Sequence, residues 1–241
     1  MNYAIAIDIG GTNTRVALID ENYEIEERRQ FATDAQDPFV TIEEIRKTIQ
    51  SFGKSAKGIG ISCPGPLDLL HGYILTTTNL GEKWWNYPIC EKLSEATGLP
   101  VYLENDANLA CLAEAVIGRG KNYHYVQFMT VSTGVGSGLV INKKIYQGAH
   151  GFAHEIANIP LWKDGPTHGS IYPGGVEAIC SGTAITSRAN RAGLNAAHAG
   201  EVNDLAESGN ETAMQIIDDA KEFLANAIAI IYAFIDPDIV I

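Results

Sequence analysis

The chain has 241 residues, of which 46% are apolar and 19% charged, and this composition is typical of globular proteins and excludes a disordered chain. Seventeen Lys and Arg stand against 29 Asp and Glu. The formal net charge of −12 argues against a general nucleic-acid-binding protein, because contact with phosphate backbones needs a basic surface.

The amino terminus and the cysteines indicate the compartment. The opening MNYAIAIDIGG lacks the basic and apolar regions of a secretory signal, and no apolar run of the chain reaches the length of a membrane span. The four cysteines are scattered without a C-x-x-C pair, which is typical of reduced thiols. We therefore expect a cytoplasmic protein with no membrane partner and no nucleic-acid partner.

The first half of the chain predicts an α/β domain that begins with an antiparallel meander. Strand-like residues at 3–8 stop at Gly10 and Gly11, resume at 14–19 and continue, after a polar turn, near 23–31. The later elements of this half are predicted as a helix from Pro38 to Gly53, a strand at 58–62, a helix at 87–97, a strand at 100–104 and a helix at 107–117.

The second half repeats the opening pattern of strand, glycine-rich turn and strand. Residues 125–131 read as an apolar strand, 132–138 are rich in glycine, and 139–141 read as another strand. We interpret the two copies as an internal duplication of a nucleotide-binding element. One copy lies in each of two predicted domains, residues 1–106 and 107–241.

The rest of the second half contains one strong signal. Residues 148–182 are predicted to be irregular, whereas 211–235 form a long amphipathic helix that ends at Asp236 and Pro237. A strand opens at 239–241, and nothing is predicted to pair with it, so we expect C-terminal sequence to be missing.

The first glycine turn has the residue types of a phosphate site. Asp8 ends a strand, and the lack of a Cβ at Gly10 and Gly11 lets backbone N–H groups approach phosphate oxygens. Thr12 adds a hydroxyl, and the Asp8 carboxylate can hold Mg²⁺ directly or through water. The alternative is a simple glycine hairpin. Arg15 could also contact phosphate, although an Arg on a strand face is more often solvated.

The second glycine turn favours the phosphate interpretation. Thr133 and Gly134 follow a strand in the same context, so two such turns could hold one triphosphate from both sides. The run GVGSG could instead be a dinucleotide fingerprint. That motif needs a helix after the glycines, and the following LVINKKIYQ alternates like a strand.

A polar segment between the two turns supplies a candidate general base. Asp106 follows a strand at the start of a helix, and its carboxylate could take the proton of a hydroxyl that attacks a phosphoryl group. Asn105 could bind a neighbouring hydroxyl. The alternative is that Asn105 or Asp106 only caps the helix.

Together these motifs resemble the ROK family (repressors, open reading frames, kinases) of the actin-like ATPase and hexokinase superfamily. The segments that carry the resemblance are AIDIGGTNTRVALID, GISCPGPLD, TTTNL, GLPVYLENDANLACLAEAVIG, TVSTGVGSGLVINKKIYQGAHG and FAHEIANI. The resemblance implies an α/β fold with two actin-like ATPase, or ribonuclease H-like, domains and a cleft between them. It also implies a homodimeric kinase that uses ATP and Mg²⁺ to phosphorylate the 6-hydroxyl of a hexose.

The resemblance also implies roles for individual residues. Asp106 matches the catalytic base. The positions that match sugar-binding residues are Gly65, Asn79, Asn105, Glu155, Asn158 and Glu177, with Asn158 in place of a histidine of the family pattern. The positions that match contacts to ATP phosphates and Mg²⁺ are Asp8, Gly10, Gly11, Thr12, Thr133 and Gly134. Asp8 is the expected magnesium ligand, through water or ATP.

The sequence departs from the family pattern at two places. The C-x-C-G-x-x-G-C zinc motif is replaced by HGSIYPGG at 168–175, which has no cysteine, so we expect no zinc. His154 and His168 have no partner thiols with which to bind one. The glycine-rich loop that contacts adenosine in the family is also not found, and no adenine-binding residue is assigned.

Several functions stay open. Glucose is the first choice of substrate, because TTTNL and the W-x-N-Y-P stretch resemble glucokinase-type members. N-acetylmannosamine, N-acetylglucosamine, fructose and a β-glucoside are the alternatives. A sugar-sensing repressor would need a helix-turn-helix domain. A non-catalytic sugar- or nucleotide-binding relic would have no need of Asp106.

Overall fold

The computed structural model describes residues 2–63, 65–77 and 80–241. The chain divides into two compact units, one that ends at Leu109 and one from Ala110 to Ile241. The sequence placed this division slightly earlier, after Asp106. A helix, α3 (Asp106–Val116), contains the division.

The first unit is built on a five-stranded sheet with the order β3-β2-β1-β4-β7. Its elements are β1 (Tyr3–Ile9), β2 (Asn13–Asp20), β3 (Ile25–Ala32), α1 (Pro38–Ser51), β4 (Ala56–Cys63), β5 (Leu67–Asp68), β6 (Tyr73–Ile74), a 3-10 turn (Glu82–Trp84), α2 (Ile89–Thr97) and β7 (Val101–Asn105). The first three strands form the predicted antiparallel meander, and β4 and β7 extend it with parallel pairing.

Local sequence signals fix the helices of this unit. The Asp37 side chain accepts the N–H of Phe39 at the start of α1, where Pro38 supplies a helical φ. Helix α2 ends at Gly98, which adopts a left-handed φ of 72° as the predicted stop signal requires. The alternating residues of β1 and the inner face of α1 belong to one buried apolar cluster, which also includes residues of β2 and so packs the hairpin β1–β2 against the helix.

The second unit repeats this strand order in a smaller sheet. Its elements are β8 (Tyr125–Val131), β9 (Val135–Ile141), β10 (Lys144–Ile145), a 3-10 turn (Ile156–Asn158), α4 (Val176–Cys180), α5 (Gly182–Arg191), α6 (Ala199–Glu207), α7 (Glu211–Ile235) and β11 (Ile239–Val240). The order β10-β9-β8-β11 corresponds to β3-β2-β1-β4. In both units the first and second strands are antiparallel, and a later strand pairs in parallel with the first.

The prediction that nothing pairs with the last strand is wrong. Ile239 pairs with Val126, so β11 lies in parallel beside β8. The Oδ2 atom of Asp238 accepts the N–H groups of His124 and Tyr125 at 2.9 and 2.8 Å, and these bonds hold the residue before β11 beside the start of β8. The sequence pattern missed the pairing because partners so distant along the chain leave no local signal.

Two other predictions for this unit are corrected. Strand β9 begins at Val135, so the turn before it covers only 132–134 rather than 132–138. The stretch 148–182, predicted as irregular, contains the short helix α4, whose apolar residues are buried. Helices α5 and α6 were not predicted, although the Ser181 side chain caps α5 by accepting the N–H of Ala184.

Helix α7 has the predicted bounds. The Asn210 side chain accepts the N–H of Ala213 at its start, and Asp236 ends it in a left-handed conformation with a φ of 49°. An ion pair joins Asp219 of α7 to Arg188 of α5, and both side chains are largely buried. The part of the chain that the structure describes contains no helix with the length and apolar character of a membrane span.

Candidate active site

The turn at residues 10–12, which the sequence predicts to bind phosphate (the first phosphate turn), joins β1 to β2. The N–H of Gly10 donates to the carbonyl of Asn13 at 3.0 Å and closes the turn. Among the described residues, the N–H groups of Gly11 and Thr12 have no acceptor. Two consecutive open N–H groups in a turn are suited to bind an anion.

The turn at residues 132–134, which is also predicted to bind phosphate (the second phosphate turn), joins β8 to β9 and offers the same feature. The N–H of Ser132 donates to the carbonyl of Gly134 at 2.9 Å, and the N–H of Val135 donates to Glu177 at 2.8 Å. Within the residues that the structure describes, the N–H groups of Thr133 and Gly134 have no acceptor. Each unit therefore presents two adjacent backbone N–H donors in the turn between the first two strands of its sheet.

Asp8 lies at the end of β1 and is paired with a cation. The Nη1 atom of Arg15 donates to Oδ2 of Asp8 at 2.7 Å, and the two side chains are 42% and 47% exposed. The antiparallel register places the two residues directly opposite each other. The sequence weighed a solvated Arg15, and strand alternation across the hairpin was the signal for this pair.

The fit of Asp8 to Mg²⁺ follows from its exposure. One carboxylate completed by substrate phosphates and waters is the usual magnesium site in phosphoryl transfer. Asp8 is half exposed, and its Oδ1 is not used in the Arg15 contact. Over the described ranges there is no cluster of three or more His, Cys, Asp or Glu that could hold a metal without such help.

Asn105 and Asp106 lie where β7 runs into α3. The Oδ1 atom of Asn105 accepts the N–H of Ala107 at 2.9 Å, so the capping alternative is correct for this oxygen. Its amide Nδ2 lies beside Gly65, 3.8 Å from the position that a Cβ would take there. Asp106 is exposed, and its Oδ1 accepts the N–H of Ala107, whereas Oδ2 has no hydrogen-bond partner among the described residues.

Asp8 and Asp106 lie at the same end of the first sheet, where β1, β4 and β7 terminate. The parallel registers pair Asp8 with Ser62 and Cys63 with Asn105, so the carboxyl ends of three strands meet there. Burial, together with the smaller effect of the negative charges of Asp106 and Asp8, raises the pKa of the Cys63 thiol to about 12. The thiol therefore stays protonated beside both carboxylates.

The other residues predicted to bind sugar, besides Gly65 and Asn105, lie at separate places in the chain. Glu155 and Asn158 lie in and next to the 3-10 turn that follows β10, where the structure brings them together. Glu177 lies instead at the second phosphate turn, because its carboxylate binds Val135. Asn79 lies outside the described residues.

The loop that replaces the zinc motif is closed by backbone contacts. The N–H groups of Leu161 and Trp162 donate to the carbonyl of Gly174 at 2.9 and 3.2 Å, and Gly174 donates to Pro166 at 2.9 Å. A Cβ at Gly174 would lie 1.8 Å from the Trp162 carbonyl, so only glycine fits. The absence of zinc stays a prediction.

A cavity of about 1030 Å³ opens beside the second phosphate turn. Its lining includes Ser132, Thr133, Thr183, Asn190 and His198, from the turn, α5 and the start of α6. The sequence did not indicate this cavity, because α5 and α6 were not predicted.

Comparison with solved structures defines the class of fold. A ROK hexokinase from Thermus thermophilus has a TM-score of 0.90 at 28% identity, and the match covers 99% of this chain and 80% of that one. A ROK family glucokinase from Streptomyces griseus, solved with glucose and AMPPNP, has a TM-score of 0.71 at 27% identity, and the match covers 99% and 82%. The chain has the actin-like ATPase fold of these sugar kinases.

Sequence comparison gives the family. The model of the ROK family matches residues 4–241, and the chain belongs to this family. The glucokinase of Thermotoga maritima is 31% identical over 98% of this chain and 80% of its own length. The N-acetylmannosamine kinase of Citrobacter koseri is 31% identical over 96% of this chain and 79% of its own length.

Proposed function

We propose that the protein is an ATP-dependent sugar kinase that transfers the γ-phosphoryl group of ATP to the 6-hydroxyl of a hexose. The observation that carries this proposal is the recurrence of a turn with two open N–H groups in each unit, together with the exposed carboxylate of Asp106. The relatives named glucokinase and N-acetylmannosamine kinase support the same class of reaction.

The phosphate turns act by electrostatics. The N–H groups of Gly11 and Thr12 in the first unit, and of Thr133 and Gly134 in the second, are the proposed donors to phosphate oxygens. Mg²⁺, when bound with ATP, neutralises charge on the phosphates, and Asp8 is the residue that would hold it, directly or through water. Arg15 keeps the Asp8 carboxylate oriented by its contact at 2.7 Å.

Asp106 is the proposed general base. Its Oδ1 is fixed by the N–H of Ala107 at 2.9 Å, so its second oxygen has a defined direction. That oxygen accepts the proton of the attacking hydroxyl as the bond to phosphorus forms. Asn105, whose amide Nδ2 lies beside Gly65, is the proposed donor to a neighbouring sugar hydroxyl.

The cavity beside the second phosphate turn is the proposed nucleoside site. Its volume of about 1030 Å³ exceeds what a nucleoside needs, and Ser132 and Thr133 of the turn form part of its wall. Because the cavity adjoins the turn, a nucleotide whose phosphates are bound at the turn would extend its nucleoside into the cavity. The complex of the Streptomyces griseus glucokinase with AMPPNP supports ATP as the donor.

Glucose is the proposed sugar, and N-acetylmannosamine is the second candidate. The glucokinase of Thermotoga maritima and the N-acetylmannosamine kinase of Citrobacter koseri are each 31% identical to this chain, so identity does not separate the two sugars. The glucose bound to the Streptomyces griseus enzyme favours the first. The residues proposed to contact the sugar are Gly65, Asn79, Asn105, Glu155, Asn158 and Glu177.

ADP release tests the proposal. Purified protein with MgATP is assayed against glucose, N-acetylmannosamine, N-acetylglucosamine, fructose and a β-glucoside. Asp106→Asn is assayed alongside, because an Asn oxygen still accepts the Ala107 N–H and the fold is kept. We expect turnover on glucose and a loss of about 10²- to 10⁴-fold in kcat for the variant. Wild-type turnover in Asp106→Asn would refute the assigned base.

Assembly and location are proposals of a separate kind. We propose a cytoplasmic homodimer, as the family resemblance implies. Light scattering during gel filtration measures the mass directly, and a monomeric mass at micromolar concentration would contradict the dimer.

A further inference from the structure

Thr33 lies just after β3, beside the first phosphate turn. Its Oγ1 donates to the carbonyl of Gly10 at 2.7 Å, and its N–H donates to the carbonyl of Thr12 at 3.0 Å. A hydroxyl has only one hydrogen to donate. The Oγ1 of Thr14, 2.8 Å from that of Thr33, is therefore the donor in their contact. Both threonines are buried, so water does not compete with this chain of bonds.

Thr183 has the matching place in the second unit, at the start of α5. Its Oγ1 donates to the carbonyl of Thr133 at 2.5 Å, and the N–H of Gly182 donates to the carbonyl of Ser132 at 2.8 Å. The Nε2 atom of His168 lies 2.9 Å from Oγ1 of Thr183. Because the hydroxyl hydrogen is already used, His168 donates, and its proton is on Nε2.

Peptide geometry connects these bonds to the open N–H groups. In a planar trans peptide the C=O of one residue and the N–H of the next point in opposite directions. Fixing the carbonyl of Gly10 therefore fixes the N–H of Gly11, and fixing the carbonyl of Thr133 fixes that of Gly134. A carbonyl turned toward a triphosphate would repel it, whereas an N–H attracts it.

We propose that Thr33 and Thr183 are positioning residues that aim one glycine N–H of each phosphate turn at the bound nucleotide, with Thr14 and His168 holding their hydroxyl groups. The proposal rests on the proposed function, because it concerns the turns assigned to ATP. His168 lies in the loop that replaces the zinc motif, so this loop supports the second turn through a side chain.

The test removes each hydroxyl and then restores it. Thr183 is exposed, so Thr183→Val is expected to fold normally, and Thr183→Ser keeps the donor. Thr33→Val and Thr33→Ser form the matching pair in the first unit. Thr48→Val is the control, because the Thr48 hydroxyl has one partner among the described residues, the carbonyl of Glu44 in its own helix.

ADP affinity by calorimetry is the first readout, and KM for ATP and for the sugar are the second. Each Val variant is expected to bind ADP about tenfold more weakly and to raise KM for ATP by a similar factor, with KM for the sugar unchanged. The Ser variants and Thr48→Val are expected to stay within about twofold of wild type. His168→Gln keeps a donor and is expected to bind ADP more tightly than His168→Leu.

The outcomes separate the two proposals. A wild-type protein that does not bind ADP overturns the proposed function and this inference with it. A wild-type protein that binds ADP, with Val variants that bind it equally well, overturns only the positioning role. Val variants that raise both KM values by the same factor also overturn it, because general damage would then explain the loss.

Discussion

The Oε2 atom of Glu177 accepts a hydrogen bond from the N–H of Val135 at 2.8 Å. A Cβ on the neighbouring Gly134 would approach the same oxygen to 2.6 Å, so the glycine is needed to let the carboxylate reach the turn. One side chain proposed to contact sugar therefore also supports the turn proposed to bind phosphate.

Two substitutions of Glu177 should separate these roles. Glu177→Gln keeps an oxygen for the Val135 N–H but loses the charge, whereas Glu177→Ala loses both. We expect both variants to raise KM for the sugar, and only the Ala variant to raise KM for ATP, by about tenfold. Steady-state kinetics with each substrate varied measures this, and exposed Glu222→Ala is the control. Equal KM values for ATP in the Gln and Ala variants would contradict the supporting role.

The buried ion pair between Arg188 and Asp219 predicts a large effect on stability. The two side chains are only 10% and 13% exposed, and Arg188 also packs over the ring of Trp162. Arg188→Met leaves the Asp219 carboxylate largely buried without its cationic partner, although the Gln215 amide still donates to Oδ1 at 2.7 Å, so the free energy of unfolding should fall by about 3 kcal/mol. Urea denaturation measures it. Exposed Arg119→Met should change it by less than about 0.5 kcal/mol, and a similar loss in both variants would be inconsistent with the pair.

Lys143 ties the end of α3 to the loop that follows it. Its Nζ lies 2.6–3.3 Å from four backbone carbonyl oxygens, those of Ala115, Gly120, Lys121 and Tyr123, which share its three N–H donors. Lys143→Met should lower the free energy of unfolding by about 1–2 kcal/mol, because these carbonyls lose their shared donor. The neighbouring Lys144→Met is the matched control and should have little effect. Thermal unfolding of both variants measures this difference in stability, and an equal loss in Lys144→Met would contradict the role of Lys143.

His154 predicts a pH dependence of stability. Burial lowers the pKa of this imidazole from 6.5, so the folded state favours its neutral form. Below pH 6.5 this imidazole binds more protons in the unfolded state than in the folded state. The stability that its neutral form contributes is therefore complete above pH 6.5 and is lost as the pH falls toward the folded-state pKa. Urea unfolding at pH 5.5 and 7.5 should therefore show a smaller loss on acidification for His154→Gln than for wild type. His150→Gln should behave as wild type does.

The sequence predicted the elements whose signals are local. Three predictions each depend on one short window and are confirmed: the apolar strand at 125–131, the stop at Gly98, and the amphipathic helix from Glu211 to Ile235. The capping role of the Asn105 oxygen was correctly weighed as an alternative.

The remaining features depend on contacts that a window of sequence does not contain. Strand β11 is defined by β8, and the position of Glu177 is defined by Val135 on another element. Helices α5 and α6 are short, and their borders at Gly182 and His198 resemble loop sequence. For the same reason the cavity that they line had no signal in the sequence.

The pairing of β11 with β8 has a consequence for synthesis and refolding. The bond from Tyr125 to Asp238 spans 113 residues, and the chain entropy of so large a closure must be overcome before the contact is gained. A ribosome releases β8 well before β11, so one edge of β8 keeps unpaired N–H and C=O groups during that interval. Such an edge can pair with strands of other chains. We therefore expect the second unit to be most prone to aggregation before β11 has paired with β8.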